Sequence, residues 1–262
     1  MRPGRKEGQR VEALARGLTV LRSLVDAGRP LSATAIAREM GLHQSSVSRL
    51  LATLADTGFV RKTAAGFTPD FGVLALASSI EQFPLIDRPR VAMQRIGEQA
   101  GGLNVSLGML WRRQMIYFLR RLASGEMIDF WWSNYPIQVS APGMRLLLDQ
   151  PEDHALDTLQ TSRTRHGWHG NHDVLPATEE AVLAAARERT EHDVLVLRDW
   201  HNPGEMGAAI PIRADEPYPV ALALSGPGEI ADDATVRIWL HDFRREVEET
   251  LQNTSSHHAH DA

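Results

Sequence analysis

Residues 33–68, ATAIAREMGLHQSSVSRLLATLADTGFVRKTAAGFT, read as a helix–turn–helix followed by a short β-hairpin. Three positions set the geometry. Ala37 is small enough for two helices to approach, Gly41 takes the φ > 0 conformation of the turn, and Val47 points back to lock the second helix. From Val47, the residues Leu50, Leu51 and Leu54 recur at i+3, i+4 and i+7, which builds one apolar stripe. A helical step of about 100° puts Ser45, Ser48, Arg49 and Ala52 on the opposite face. That face is small, polar and basic, the composition needed to enter a major groove and meet base edges and phosphates.

The flanking residues extend the pattern. Val11, Leu14, Leu18, Leu21 and Val25 keep a helical period, and the helix they imply stops near Ala27-Gly28, with Pro30 just beyond. Ser32 caps the next helix, whose N-terminus, with Thr34 in its first turn, suits a phosphate contact. Phe59–Thr63 and Phe67-Thr68 around Ala64-Ala65-Gly66 predict a two-stranded wing, with Arg61 and Lys62 near the DNA backbone or minor groove. The candidate DNA contacts are therefore Ser32, Thr34, Gln44, Ser45, Ser46, Ser48, Arg49, Thr53, Arg61 and Lys62. Arg49 has a structural alternative, pairing with Asp56 or Glu39, but its face favours DNA. His43 either joins the reading residues or completes the turn.

Charge is distributed to match. The chain carries 28 Lys and Arg against 33 Asp and Glu, a formal −5. Residues 1–69 hold 11 basic and 5 acidic side chains (+6), leaving 17 against 28 (−11) for the rest. A basic end on an acidic body places counterion release where phosphate is touched. At 262 residues two domains are expected. No apolar run approaches the roughly 20 residues of a membrane span, and MRPGRKEGQR has no apolar signal core. The absence of cysteine removes disulfides, thiol chemistry and thiolate-ligated metals. A cytoplasmic protein without cofactor is the simplest reading. No GxSxG elbow, P-loop, dinucleotide fingerprint or paired-carboxylate motif argues for an enzyme.

Residues 1–10, with Arg2, Arg5, Lys6 and Arg10, read as a disordered basic arm; 11–69 as the winged helix–turn–helix; 70–86 as a linker helix carrying Phe71, Leu74 and Leu76; 87–252 as a second domain; and 253–262 as a disordered tail. A helix is expected over Asp87–Gln99. Strands are expected over 105–110, 115–122, 128–132, 194–198 and 220–225, and helices over 143–149, 178–189 and 233–251, an α+β chain. A helix–turn–helix monomer reads one half-site, so a two-fold dimer on a near-palindromic operator is the physical expectation.

Ala13–Leu18, Gly41–Val47, Arg49–Leu54 and Gly58–Val60 closely resemble the IclR family of bacterial transcriptional regulators. Pro136 with Gly143, then Gly204 with Ala208–Ile212, and Ser225–Pro227 resemble that family's second domain in register. The resemblance implies a GAF-like α/β domain that binds a small organic effector, in dimers or tetramers. Carried onto this chain, it assigns the effector site to Trp132, Ser140, Ala141, Pro142, Gly143, Asp199, Glu205, Met206, Gly207, Ala223 and Ser225. The chain departs from the family at Gly207, commonly cysteine, at Ala223, commonly serine, and at Leu197, often acidic. The loss of these polar anchors implies a larger or more apolar pocket, suited to an aromatic or a cationic ligand. Either Trp131 or Trp132 supplies a wall, or both are packing residues.

Two alternatives stand beside this reading. The second domain serves oligomerisation alone, or His166, His169 and His172, with His154, hold a metal ion. Gly167 and Gly170 interrupt the helical spacing that such ligands need, which favours a polar surface loop.

Overall fold

The computed structural model describes residues 11–77, 83–132 and 135–252. The chain divides into two compact units, Met1–Ser79 and Ile80–Ala262. The expected basic arm and tail lie outside the described residues.

The first unit orders helices α1 (Glu12–Ala27), α2 (Ala33–Met40) and α3 (Gln44–Asp56), strands β1 (Val60–Thr63) and β2 (Gly66–Pro69), and helix α4 (Phe71–Ala77). Gly28 and Gly41 both close helices in the left-handed conformation, at φ 58° and 63°. Ser32 Oγ accepts from the Ala35 amide at 3.1 Å, a cap worth about 1 kcal/mol. The core is Val20, Leu24, Leu31, Ile36, Ala37, Val47, Leu51 and Val60. Leu31 exchanges two backbone hydrogen bonds with Phe67, which ties the α1–α2 connection to the wing.

Helix α1 has apolar residues on two sides. Val11, Leu14, Leu18 and Val25 are exposed, and Val20 and Leu24 face the core.

The second unit opens with α5 (Pro84–Asp87) and α6 (Arg90–Gln99), because Pro89 breaks the single helix expected over Asp87–Gln99. Strands β3 (Asn104–Trp111) and β4 (Gln114–Arg121) follow, then β5 (Met127–Ile128) and β6 (Trp131–Trp132), which divide the single strand expected over 128–132. Helices α7 (Ala141–Leu147), α8 (Glu152–His166) and α9 (Glu179–Glu188) precede β7 (Thr190–Glu191), β8 (Val194–Arg198), β9 (Glu205–Ile212), β10 (Val220–Pro227) and α10 (Asp233–Gln252). The strand order is β5-β4-β3-β10-β9-β8-β7, with β6 also on β4, and every pairing is antiparallel.

Helices cover both faces of this sheet, so its central strands are buried on both sides rather than alternating apolar and polar. Val220, Leu222 and Leu224 of β10 pack in one core with α5, α6 and α10. Their neighbours Ala221 and Ala223 pack in the other, with α7, α8 and α9. The same division runs across the sheet. Val105, Leu107, Met109, Ile210 and Ile212 fill the first side. Ser106, Gly108, Gly207 and Ala209 lie at the alternate positions of β3 and β9, on the second.

Candidate functional site

Helix α3 presents Gln44, Ser45, Ser48, Arg49, Ala52 and Thr53 to solvent, while Val47 and Leu51 are buried beneath them. Ser46 is half-buried. Among the described residues Arg49 pairs with neither Asp56 nor Glu39, so the guanidinium is available to an external acceptor. Thr53 Oγ1 donates to the Arg49 carbonyl at 3.1 Å, which fixes its hydroxyl against the helix. His43 is the residue before α3 and makes no side-chain cap. Thr34 in the first turn of α2, and Arg61 and Lys62 on β1, are exposed. The first unit thus sets a small, uncapped helix face beside two basic wing residues.

The second unit holds a cavity of about 460 Å³ beside the N-terminus of α7. That falls within the roughly 300–1,000 Å³ of small-molecule sites. Ser140, Ala141, Pro142, Glu205, Met206, Gly207, Ala223 and Ser225 all line it. Its depth comes from the small-residue side of the sheet. A Cβ on Gly207 would stand 3.2 Å from Ala141 Cβ, so α7 lies directly on β9 there.

Two of the assigned residues lie elsewhere. Gly143 is buried within α7, where a Cβ would meet Ile137 Cγ1 at 2.7 Å. Asp199, at φ 63°, turns away to accept from the Gly204 amide at 2.6 Å, closing the loop between β8 and β9. Trp132 is on β6 opposite Ile116, and its side chain is outside what the structure describes.

The structure adds residues that the sequence reading missed. Tyr117 and Arg120 reach the cavity from β4, Asn104 and Ser106 from β3, and Trp200 and His201 from the loop after β8, with Tyr135 at the rim. Tyr117 Oη and Ser140 Oγ are 3.0 Å apart, and Ser140 Oγ also accepts from the Gly143 amide at 3.1 Å. Burial pushes the Tyr117 hydroxyl pKa up, so it stays protonated. Arg120 is half-buried, its guanidinium 5.9 Å from the Tyr117 ring centroid, and burial lowers its pKa. Asn104 spans two elements, accepting from the Ala123 amide at 2.9 Å and donating to the Ser225 carbonyl at 3.2 Å. At the mouth, Glu205 Oε2 receives Asn202 Nδ2 at 3.0 Å and lies 3.3 Å from His201 Nδ1, and Tyr135 meets His201 edge-on at 5.2 Å. One signal for Arg120 was in the sequence: the apolar run MIYFL of β4 ends on two arginines, Arg120 and Arg121.

The structure does not gather His154, His166, His169 and His172 at one point. Among the described residues no three His, Cys, Asp or Glu side chains meet as a metal site. His166 ends α8, and burial, then neighbouring Arg165 and His169, lower its pKa. Nor is the following segment a loose surface loop. Trp168 Nε1 donates to the Pro176 carbonyl at 3.0 Å under the Arg163 guanidinium, and the Asn171 amide donates to the Trp200 carbonyl at 2.9 Å. It buttresses the cavity wall at Trp200.

A helix–turn–helix unit with a wing is followed along the chain by an antiparallel sheet unit that holds a cavity of small-molecule size. Residues 13–64 match the family model of the IclR helix-turn-helix domain. The whole chain has the fold of solved IclR structures. An IclR-family transcriptional regulator from Brucella abortus matches at TM-score 0.70 and 21% identity, over 98% of this chain and 97% of that one. A regulator from Alicyclobacillus acidocaldarius matches at TM-score 0.65 and 16% identity, over 92% and 99%. An IclR homologue from Microbacterium hydrocarbonoxydans, complexed with 4-hydroxybenzoate, matches at TM-score 0.59 and 19% identity, over 91% and 98%. No curated protein matches the sequence. No helix among the described residues is long and apolar enough to cross a membrane.

Proposed function

We propose that this chain is an IclR-type, ligand-responsive transcriptional regulator that reads a near-palindromic operator as a homodimer or tetramer in the cytoplasm, and that its effector is a small aromatic acid. The observation that carries the reading is the cavity: about 460 Å³, bordered by Tyr117, Tyr135 and Trp200, with the Arg120 guanidinium among its lining residues. A domain kept only for oligomerisation has no need of such a chamber. The 4-hydroxybenzoate held by the Microbacterium homologue supports the same ligand class.

The two readers occupy successive major grooves, with α3 at the base edges and Arg61 and Lys62 at the flanking backbone. Exposed Val11, Leu14, Leu18 and Val25 on α1, and Phe71, Leu74 and Leu76 on α4, support assembly of the first unit with a second copy. Effector binding changes the spacing of the readers through the linker helices. It shifts operator affinity only by its differential affinity for the two arrangements.

The test is binding of the purified protein to the DNA upstream of its own coding region, titrated against salt. Two protected half-sites about 10 bp or a multiple apart, with steep salt dependence and release by an aromatic acid, are expected. Equal affinity for random duplex would overturn the operator-reading role.

A further inference from the structure

Two opposite charges line the cavity at separate ends. Arg120 stands opposite Ser106 across β4 and β3, Ser106 opposite Ala223 of β10, and Ala223 opposite Ala209 of β9. Glu205 lies on β9 itself, two residues before Gly207 and four before Ala209. Arg120 and Glu205 are therefore three strand spacings and four residues apart. That is a Cα diagonal of about 20 Å on a flat sheet, too long for the side chains to pair directly. The floor between them is Ser106, Ala223 and Gly207, without a bulky side chain, which leaves room for a flat ring.

The Glu205 carboxylate is already aimed. Asn202 and His201 hold Oε2, while Oε1 carries no hydrogen bond among the described residues. At the other end Arg120 is half-buried, where a charge-assisted hydrogen bond to a ligand carboxylate gains strength from the lower dielectric. Its lowered pKa agrees with that burial.

We propose that the effector is a zwitterion: an aromatic body with a carboxylate against Arg120 and an ammonium group against Glu205. The inference rests on the reading of this cavity as an effector site. It narrows the ligand from an aromatic acid to an aminated one. It also accounts for a carboxylate at the mouth of a chamber that otherwise suits acids.

The experiment compares three probes on the full chain by calorimetry: 4-(aminomethyl)benzoate, which carries both charges, 4-methylbenzoate, which lacks the ammonium, and benzylamine, which lacks the carboxylate. The zwitterion is expected to bind about tenfold or more tightly than either partial probe, the effect of one charge-assisted hydrogen bond. Glu205→Gln is expected to bring the zwitterion to within about twofold of 4-methylbenzoate measured on the same variant. Glu205→Asp, which shortens the reach but keeps the charge, should fall between. Glu205 is exposed, so these variants retain the fold. Equal binding of the zwitterion and 4-methylbenzoate, or a preference that survives Glu205→Gln, overturns the zwitterion and leaves the aromatic-acid effector standing. Failure of all three to bind overturns both.

Discussion

The two units of this chain put their working surfaces in opposite places. The first exposes its candidate site on the outside of α3, where Ser45, Ser48 and Arg49 face solvent over a core made by the same helix. The second hides its site inside, on the small-residue side of a sheet whose other side is filled by Leu107, Leu222, Leu224 and Ile210. An outward site costs its unit little stability and is set by local spacing. An inward site exists only while the packing around it stands, because a chamber forfeits the dispersion contacts that a filled core makes.

Substitutions can break this comparison. The largest expected effect is from Leu222→Ala, which opens a second void on the filled side of the sheet. Leu222 is fully buried, so the sheet unit should lose about 2–5 kcal/mol in denaturant unfolding. A loss below about 1 kcal/mol would mean that the two sides of the sheet are equally loose. Next is Arg49→Ala. Operator affinity should fall about ten- to a hundredfold, as for one lost base contact, while the thermal midpoint and effector affinity hold. If affinity is unchanged, Arg49 does not belong to the reading face. The smallest effect is Lys62→Ala, which should reduce the slope of log affinity against log salt by about one and leave sequence preference intact. An unaltered slope would place the wing away from phosphate.

The same contrast explains what could be read from the sequence. The reading face needed only an apolar stripe, a turn glycine and a capping serine within some 25 residues, and Gly41 and Ser32 occupy those roles in the structure. On α1 the periodicity was real but two-sided, and the face that packs is set by the tertiary contacts of Val20 and Leu24. In the second unit, β9 was legible only as a segment. EMGAAIPI has a glycine, two alanines and a proline, a poor strand by propensity. Pairing with β8 and β10 makes it one, and Pro211 is tolerated because it lies past the last β8 partner, Ala209. Helix α8 was missed because EDHALDTLQTSRTRH has few apolar residues to mark a face. Tyr117, Arg120 and Trp200 reach the cavity through cross-strand register and a loop, relations that no local spacing encodes. Asp199 is off the cavity lining for a local reason: its Oδ1 accepts from the Gly204 amide.

The alternation along β10 has a mechanical corollary. Ala223 faces the chamber, while Leu222 and Leu224 on either side are wedged against the helices behind. Protein interiors compress very little, so the sheet behaves as an anvil with a rigid back. A guest pushing on Ala223 or Gly207 gains nothing by displacing that plate. The yielding parts are those in front: α7, whose Ala141 rests on Gly207, and the mouth segment around His201 and Glu205. A guest is therefore accommodated by the chamber's front wall.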